Sequence, residues 1–141
     1  MSAYKTLQCN IVDLNCLIEA LKLLGLTAEI YDNPQYLYGY QNDKRDEKAN
    51  IIVDRKQLNK LTGASNDIGF KWNYETQKYD LIISEYDTKF KMDLRIIQAY
   101  TKVVIEKALE ENGYKIKVNI NDDQFTKRNI EDLNIIARKM I

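Results

Sequence analysis

The clearest hydrophobic repeat lies between residues 14 and 24. Apolar residues recur there at spacings of three and four, which defines one face of a helix: Leu14, Leu17, Ile18, Leu21 and Leu24. Asp13 precedes the repeat, where its carboxylate can accept the unpaired amide protons of a first helical turn. Gly25 follows it, where a left-handed residue commonly ends a helix. The pattern therefore predicts an amphipathic helix between Asp13 and Gly25.

Alternating apolar and polar residues predict a β-hairpin further along the chain. The two alternating segments, 68–73 and 79–84, are joined by the short polar stretch "NYETQK", and their apolar residues are Ile68, Phe70, Trp72, Tyr79, Leu81 and Ile83. Burial of each large apolar side chain contributes roughly 1.5–3 kcal/mol, so these residues are interpreted as core. Residues 3–12 and "ANIIVD" (49–54) predict two further strands.

A second long helix is predicted after residue 93. Asp93 is the expected N-cap and Gly113 the expected end, and the predicted buried stripe is Ile97, Tyr100, Val104, Ala108 and Leu109. Residues 86–92 are expected to form a linker and residues 41–48 a polar loop. Residues 55–66 fit either a helical turn or a loop.

The last part of the chain predicts an appended arm. Residues 115–120 alternate as a strand, and after a polar break Asn129 caps a short helix with the stripe Ile130, Leu133, Ile136 and Met140. We expect one α+β domain over residues 1–121 and a C-terminal helical arm over 122–141. A short helix is marginal alone, so the arm should dock on its own sheet or on a second copy, forming a homodimer through residues 129–140.

These elements predict an α+β fold. Its mainly antiparallel sheet carries two helices packed on one face, plus the short C-terminal helix.

Composition narrows the functional classes. The 141 residues carry no net charge, which disfavours nucleic-acid binding because that leans on an excess of Lys and Arg. No apolar run approaches the roughly 20 residues that span a bilayer, so no membrane association is expected. The first ten residues show no signal-peptide pattern, and the two cysteines, Cys9 and Cys16, make no disulfide framework. We expect a cytoplasmic protein.

The chain contains no histidine, which argues against an enzyme. Histidine is the most common general base and a frequent metal ligand, so Ser-His-Asp and Cys-His arrangements are excluded. Carboxylate pairs, such as those at 46–47 and 122–123, are interpreted as solvated, and no glycine-rich phosphate loop is present. No catalytic residue, no metal site and no cofactor is therefore expected.

Three alternating tyrosines form the sharpest candidate for a binding site. Asn33 and Pro34 signal a turn, after which Tyr36, Tyr38 and Tyr40 should place their rings on one face of a strand. Such rings can stack a base, as aromatic residues on sheets do in RNA-binding modules, with Lys71 or Lys78 meeting a phosphate. The alternative is that the rings simply cover the sheet.

Several segments resemble a known family. They are the opening strand with "LIEALKLLG", then "DIGFKWN" with "QKYDLIIS", then "QAYTKVVIEKALEENGYKI". Over roughly residues 4–120 the chain resembles the family called hypothetical chloroplast open reading frame thirty-five, from red-algal plastids and cyanobacteria, with relatives in bacteria and phages. The resemblance implies an α+β fold but no established activity. It would extend the expected location to the plastid stroma, or to a host cytoplasm for a phage-encoded protein.

The preferred functional hypothesis is a small, non-enzymatic binding or adaptor protein. It would engage a macromolecular partner, most simply a protein, through an open sheet face or edge. The alternative hypothesis is a ligand-binding protein that captures a nucleotide with the tyrosines and lysines named above.

Overall fold

The computed structural model describes residues 2–113. The strands of this part are β1 (Tyr4–Ile11), β2 (Ala28–Tyr38), β3 (Lys44–Val53), β4 (Ile68–Asn73) and β5 (Lys78–Ser84). Its helices are α1 (Leu14–Leu23), α2 (Arg55–Thr62), α3 (Glu85–Lys89) and α4 (Met92–Glu111). The predicted strand 115–120, the helix 129–140, the arm and the proposed dimer contact lie outside the described residues.

The five strands form one sheet in the order β1-β5-β4-β3-β2. Every neighbouring pair is antiparallel. The predicted hairpin is confirmed as β4 and β5, with Phe70 opposite Leu81 and Lys71 opposite Asp80. The α+β class with a mainly antiparallel sheet is therefore confirmed.

The main core lies between one face of this sheet and two helices, α1 and α4. Fully buried side chains from the strands meet fully buried side chains from the helices, among them Ile68, Phe70, Leu81, Leu17, Leu21 and Ile96. Close-packed apolar side chains of this kind supply most of the stabilisation in a small domain. Two helices on one sheet face were predicted, and this arrangement is confirmed.

Local capping explains where the first two helices begin and end. The Asp13 carboxylate accepts a hydrogen bond from the Cys16 amide at 3.0 Å, and Gly25 adopts a positive φ of 77° just after α1. Asp54 performs the same role for α2, accepting from the Lys56 amide at 2.7 Å. Of the two alternatives for residues 55–66, a helical turn or a loop, the structure has the helical one, as α2 over Arg55–Thr62.

The long helix α4 differs from its prediction in start and in face. It begins at Met92 after Lys91, which has a positive φ of 58° and no side-chain cap, so Asp93 lies in the first turn. Its buried residues are Met92, Ile96, Gln98, Ala99, Tyr100, Val103, Ile105 and Leu109. Tyr100 and Leu109 agree with the prediction, whereas Val104 is exposed and Ile97 and Ala108 are half-buried. Adjacent apolar residues at 96–97 and 103–105 permit more than one helix face, which explains the wrong choice.

Two segments predicted to be irregular carry regular structure. The expected linker contains α3, whose N-cap Ser84 accepts a hydrogen bond from the Asp87 amide. The expected loop 41–48 contains the first half of β3, which starts at Lys44. Asn33 and Pro34 do not turn the chain between elements: they lie within β2, where the pairing register with β3 shifts between Ile30 and Gln35.

Candidate functional site

The far half of the β2–β3 hairpin leaves the sheet and covers part of its second face, the face opposite α1 and α4. Strand β3 pairs with β4 only over residues 51–53. Beyond that point Leu37 and Ala49 contact the second face at Gly69, where an added Cβ would lie 2.6 Å from the Ala49 Cβ. Glycine at this position therefore permits the close approach. Four buried residues form a small second core here: Leu37, Ala49, Ile52 and Ile82.

Beside this covered patch the second face remains open as a groove of about 650 Å³. We call it the second-face groove, and its volume is in the range of ligand sites, about 300–1,000 Å³. The β2–β3 hairpin contributes residues 46–48, and the β4–β5 hairpin contributes residues 71–75. The rest of the lining comes from Thr6, Asp80 and Ile82.

Carboxylates outnumber cations in the second-face groove. Its acidic residues are Asp46, Glu47, Glu75 and Asp80, and its basic residues are Lys48 and Lys71. None of these six side chains forms an ion pair within the part of the chain that the structure describes. The groove is therefore locally negative in a chain whose formal net charge is zero.

Two aromatic residues are among those that line the same groove. Tyr74, in the β4–β5 turn, is 80% exposed. Trp72 is half-buried and packs edge-on against Tyr79, with ring centroids 4.8 Å apart. Trp72 was predicted to be a core residue, but it is only half-buried and lies beside Tyr79 at the edge of the main core.

The predicted tyrosine stripe is divided between two clefts. Tyr36 and Tyr38 line a cleft of about 350 Å³ that also includes Arg55. Tyr40 lies past the end of β2 in the hairpin turn and lines a different cleft, of about 310 Å³. The three rings therefore do not share one binding surface.

The two predicted lysines do not join the tyrosines. Lys71 lines the second-face groove, and the Lys78 ammonium donates a hydrogen bond to the Asn10 side chain at 2.9 Å. Instead the ammonium groups of Lys44 and Lys48 lie 4.0 and 4.4 Å from the centroid of the Tyr36 ring. Cross-strand pairing of Tyr36 with Lys48 would have indicated the second contact, but residues 41–48 were interpreted as a loop.

A buried carboxylate fixes the hairpin to the body of the protein. Asp67 is 3% exposed and accepts hydrogen bonds from the Tyr38 and Arg55 amides, both at 2.8 Å. The Arg55 guanidinium pairs with the same carboxylate at 3.2 Å. Burial raises the pKa of Asp67, and the hydrogen bonds from Arg55 and Tyr38 oppose that rise. We call Asp67 with these two partners the Asp67 clasp; sequence alone gave no signal for it.

A second carboxylate, Asp87, is completely buried next to this clasp. Its Oδ2 atom accepts from the Ser84 hydroxyl at 2.7 Å and from the Asn66 amide at 3.2 Å. Burial raises the pKa of Asp87, against hydrogen bonds from Ser65, Ser84 and Asn66. These bonds connect the segment before β4 to the start of α3, so we assign Asp87 a structural role.

The raised pKa of Asp87 predicts a pH-dependent effect on stability. The folded state keeps the Asp87 carboxyl protonated at pH values where the unfolded chain has already lost that proton. The contribution of Asp87 to folding stability therefore falls as pH rises above the ordinary carboxyl pKa, near 4. Relative to wild type, Asp87→Asn should therefore gain unfolding free energy between about pH 4 and pH 7. Urea denaturation across this range measures the difference, with the exposed Asp32→Asn as control; a difference that does not change with pH would contradict the prediction.

Among the described residues, neither the cysteines nor the grouping of acidic side chains indicates a reactive thiol or a metal site. Both cysteines are free, and burial raises the pKa of the Cys9 and Cys16 thiols, which disfavours a reactive thiolate. Within residues 2–113 no three Cys, Asp or Glu side chains are grouped so that they could hold a metal ion. In the same range no helix has the length and apolar character that a membrane crossing requires.

Comparison with known families identifies one family and adds no activity. Residues 20–129 match the family described as "Protein of unknown function (DUF1257)". The match covers more than half of the chain, so the protein belongs to this family. Searches of curated proteins and of solved structures found no match to the chain.

Proposed function

We propose that this protein is a small, non-enzymatic binding protein that holds a segment of a protein partner in the second-face groove. The observation that carries the proposal is the open groove itself, bordered by the exposed Tyr74 and the half-buried Trp72. Exposed aromatic side chains next to an uncovered sheet face are typical of protein interaction sites. The groove lies between two hairpins, which suits an extended peptide segment.

Two features favour binding over catalysis. The chain has no histidine, and the buried carboxylates Asp67 and Asp87 are already engaged by backbone amides, the Ser84 hydroxyl and the Arg55 guanidinium. General acid–base catalysis needs a titratable group within reach of a bound substrate. A cytoplasmic location, or a plastid or phage-host one if the resemblance to the chloroplast family extends to origin, belongs to the same proposal.

A nucleotide is the second candidate ligand, and one contact favours it. The ammonium groups of Lys44 and Lys48 both lie within 4.4 Å of the Tyr36 ring centroid, without an ion-pair partner among the described residues. Two such cations beside one ring could receive phosphate oxygens. Arg55, the third cation nearby, is already paired with Asp67. The nucleotide hypothesis therefore rests on fewer groups than the protein hypothesis.

A peptide selection tests the proposed function when the selected peptides are compared on wild type and on a variant with a blocked groove. Binders are selected from a random library of 12-residue peptides on the full chain. Their binding is then measured by the fluorescence of Trp72, the single tryptophan, which lines the groove. Thr6→Phe places a bulky ring in the groove, whereas Lys5→Phe, at an exposed position on the same strand, lies outside the lining and pairs with Ile83 of the main core. We expect peptides whose binding survives Lys5→Phe and falls at least tenfold in Thr6→Phe.

Two outcomes would contradict the proposal. A library that yields no binder below about 100 μM, or binders that ignore Thr6→Phe, would reject the second-face groove as a protein-binding site. ATP titration of wild type and of a Lys44→Ala/Lys48→Ala variant then tests the second candidate.

A further inference from the structure

The charges of the second-face groove specify the chemistry of its partner. This inference rests on the proposed function and adds the class of ligand. Asp46 and Glu47 come from one hairpin, and Glu75 and Asp80 come from the other. A segment lying between the hairpins therefore meets negative charge from both of them.

Little within the described part of the protein compensates these carboxylates. Asp80 accepts a hydrogen bond from the Asn73 side-chain amide at 3.1 Å, which leaves its charge in place. Lys71, its neighbour across the strands, is one of two cations in the groove. The other, Lys48, has its ammonium 4.4 Å from the Tyr36 ring centroid, and Tyr36 lines the neighbouring cleft. Like charges in a concave surface repel one another and attract a ligand of opposite sign.

An exposed aromatic ring provides an independent reason to expect a cation. Tyr74 lines the groove and is 80% exposed, and the face of such a ring attracts ammonium and guanidinium groups. The molecule already uses this contact at three other rings, since Lys44 and Lys48 lie over Tyr36, Arg45 over Tyr4 and Arg55 over Tyr38. A groove that combines an excess of carboxylates with the exposed Tyr74 ring suits Arg and Lys side chains.

We infer that the second-face groove binds an extended peptide segment rich in Lys and Arg. The segment would place its cationic side chains against the carboxylates of both hairpins, with an aliphatic stem or guanidinium over Tyr74. Such complementarity sets the choice of partner and speeds association, and it makes binding sensitive to salt.

Three synthetic peptides of equal length test this inference on the full chain. One alternates Arg and Lys with Gly and Ser, the second has Gln in place of each cation, and the third has Glu. Binding is followed by Trp72 fluorescence at low salt and at physiological salt. We expect the cationic peptide to bind at least tenfold more tightly than the Gln peptide, the Glu peptide not to bind, and the affinity to fall as salt rises.

Matched charge variants show whether the groove is responsible. Glu47→Gln with Glu75→Gln removes two groove charges, and Glu85→Gln with Glu110→Gln removes two charges at exposed positions elsewhere. Thermal melting checks that both proteins remain folded. The groove variant should bind the cationic peptide about tenfold more weakly, and the control variant should bind it as wild type does.

The possible failures are distinguishable. Equal weakening in both variants would mean general charge attraction and would overturn the inference. Binding of the Gln or Glu peptide as tight as that of the cationic peptide would also overturn it, while leaving the groove as a peptide site. Failure of every peptide, together with an empty library selection, would reject the proposed function itself.

Discussion

Replacing Phe70 by alanine should lower the free energy of unfolding by about 3–5 kcal/mol, the range for removing a large side chain from a packed core. Phe70 is completely buried and lies in the main core. Its strand, β4, is the middle strand of the sheet, so packing on both flanks limits how far neighbours can relax into the cavity. For a domain with a stability of about 5–15 kcal/mol, this is a large fraction of the total.

Equilibrium unfolding in urea measures this loss, and Tyr74→Ala is the matched control. Tyr74 is an aromatic residue of the adjoining turn that is 80% exposed, so its removal should change stability by no more than about 0.5 kcal/mol. A loss below 1 kcal/mol for Phe70→Ala would mean that the main core does not depend on this ring. Similar losses in both variants would contradict the difference in burial.

Local sequence signals accounted for the elements that depend on few distant contacts. Helix α1 was predicted from its repeat and from Asp13 and Gly25, and the β4–β5 hairpin from strict alternation across a short polar turn. Alternation also assigned Phe70 to the core correctly. It could not separate Phe70 from Trp72, because the period of two shows which face a residue takes but not where a covering helix ends.

The second face of the sheet could not be predicted, because distant residues decide its shape. The charged stretch 41–48 has the composition of a loop, yet its second half pairs with β2. That hairpin bends over the sheet because Gly69 leaves room for Leu37 and Ala49. The candidate site was hard to predict for the same reason. The sequence indicated Lys71 and the tyrosines as candidates. Only the folded hairpins bring Asp46 and Glu47 to the same groove as Glu75 and Asp80.

The Asp67 clasp holds the β2–β3 hairpin in position, so its loss should have the second large effect on stability. Asp67→Ala should lower the free energy of unfolding by about 3–5 kcal/mol, the usual cost of leaving a buried charge without its partner. Two amides, those of Tyr38 and Arg55, would lose their acceptor, and the Arg55 guanidinium would lose a carboxylate at 3.2 Å. Arg55 would keep its hydrogen bond to the Asn42 side chain and its long contact with the half-exposed Asp54, at 3.9 Å, and neither provides a close opposite charge.

Urea denaturation with Asp54→Ala as control separates this effect from ordinary helix capping. Asp54 also contacts Arg55 and caps α2, so its loss should cost only about 1 kcal/mol. Hydrogen exchange adds a local measurement, because the Tyr38 amide donates to Asp67 and should lose protection in Asp67→Ala but keep it in Asp54→Ala. If the two variants lose equal stability and the Tyr38 amide stays protected, the clasp does not hold the hairpin over the second face, and the groove must be shaped by the Leu37 and Gly69 contact alone.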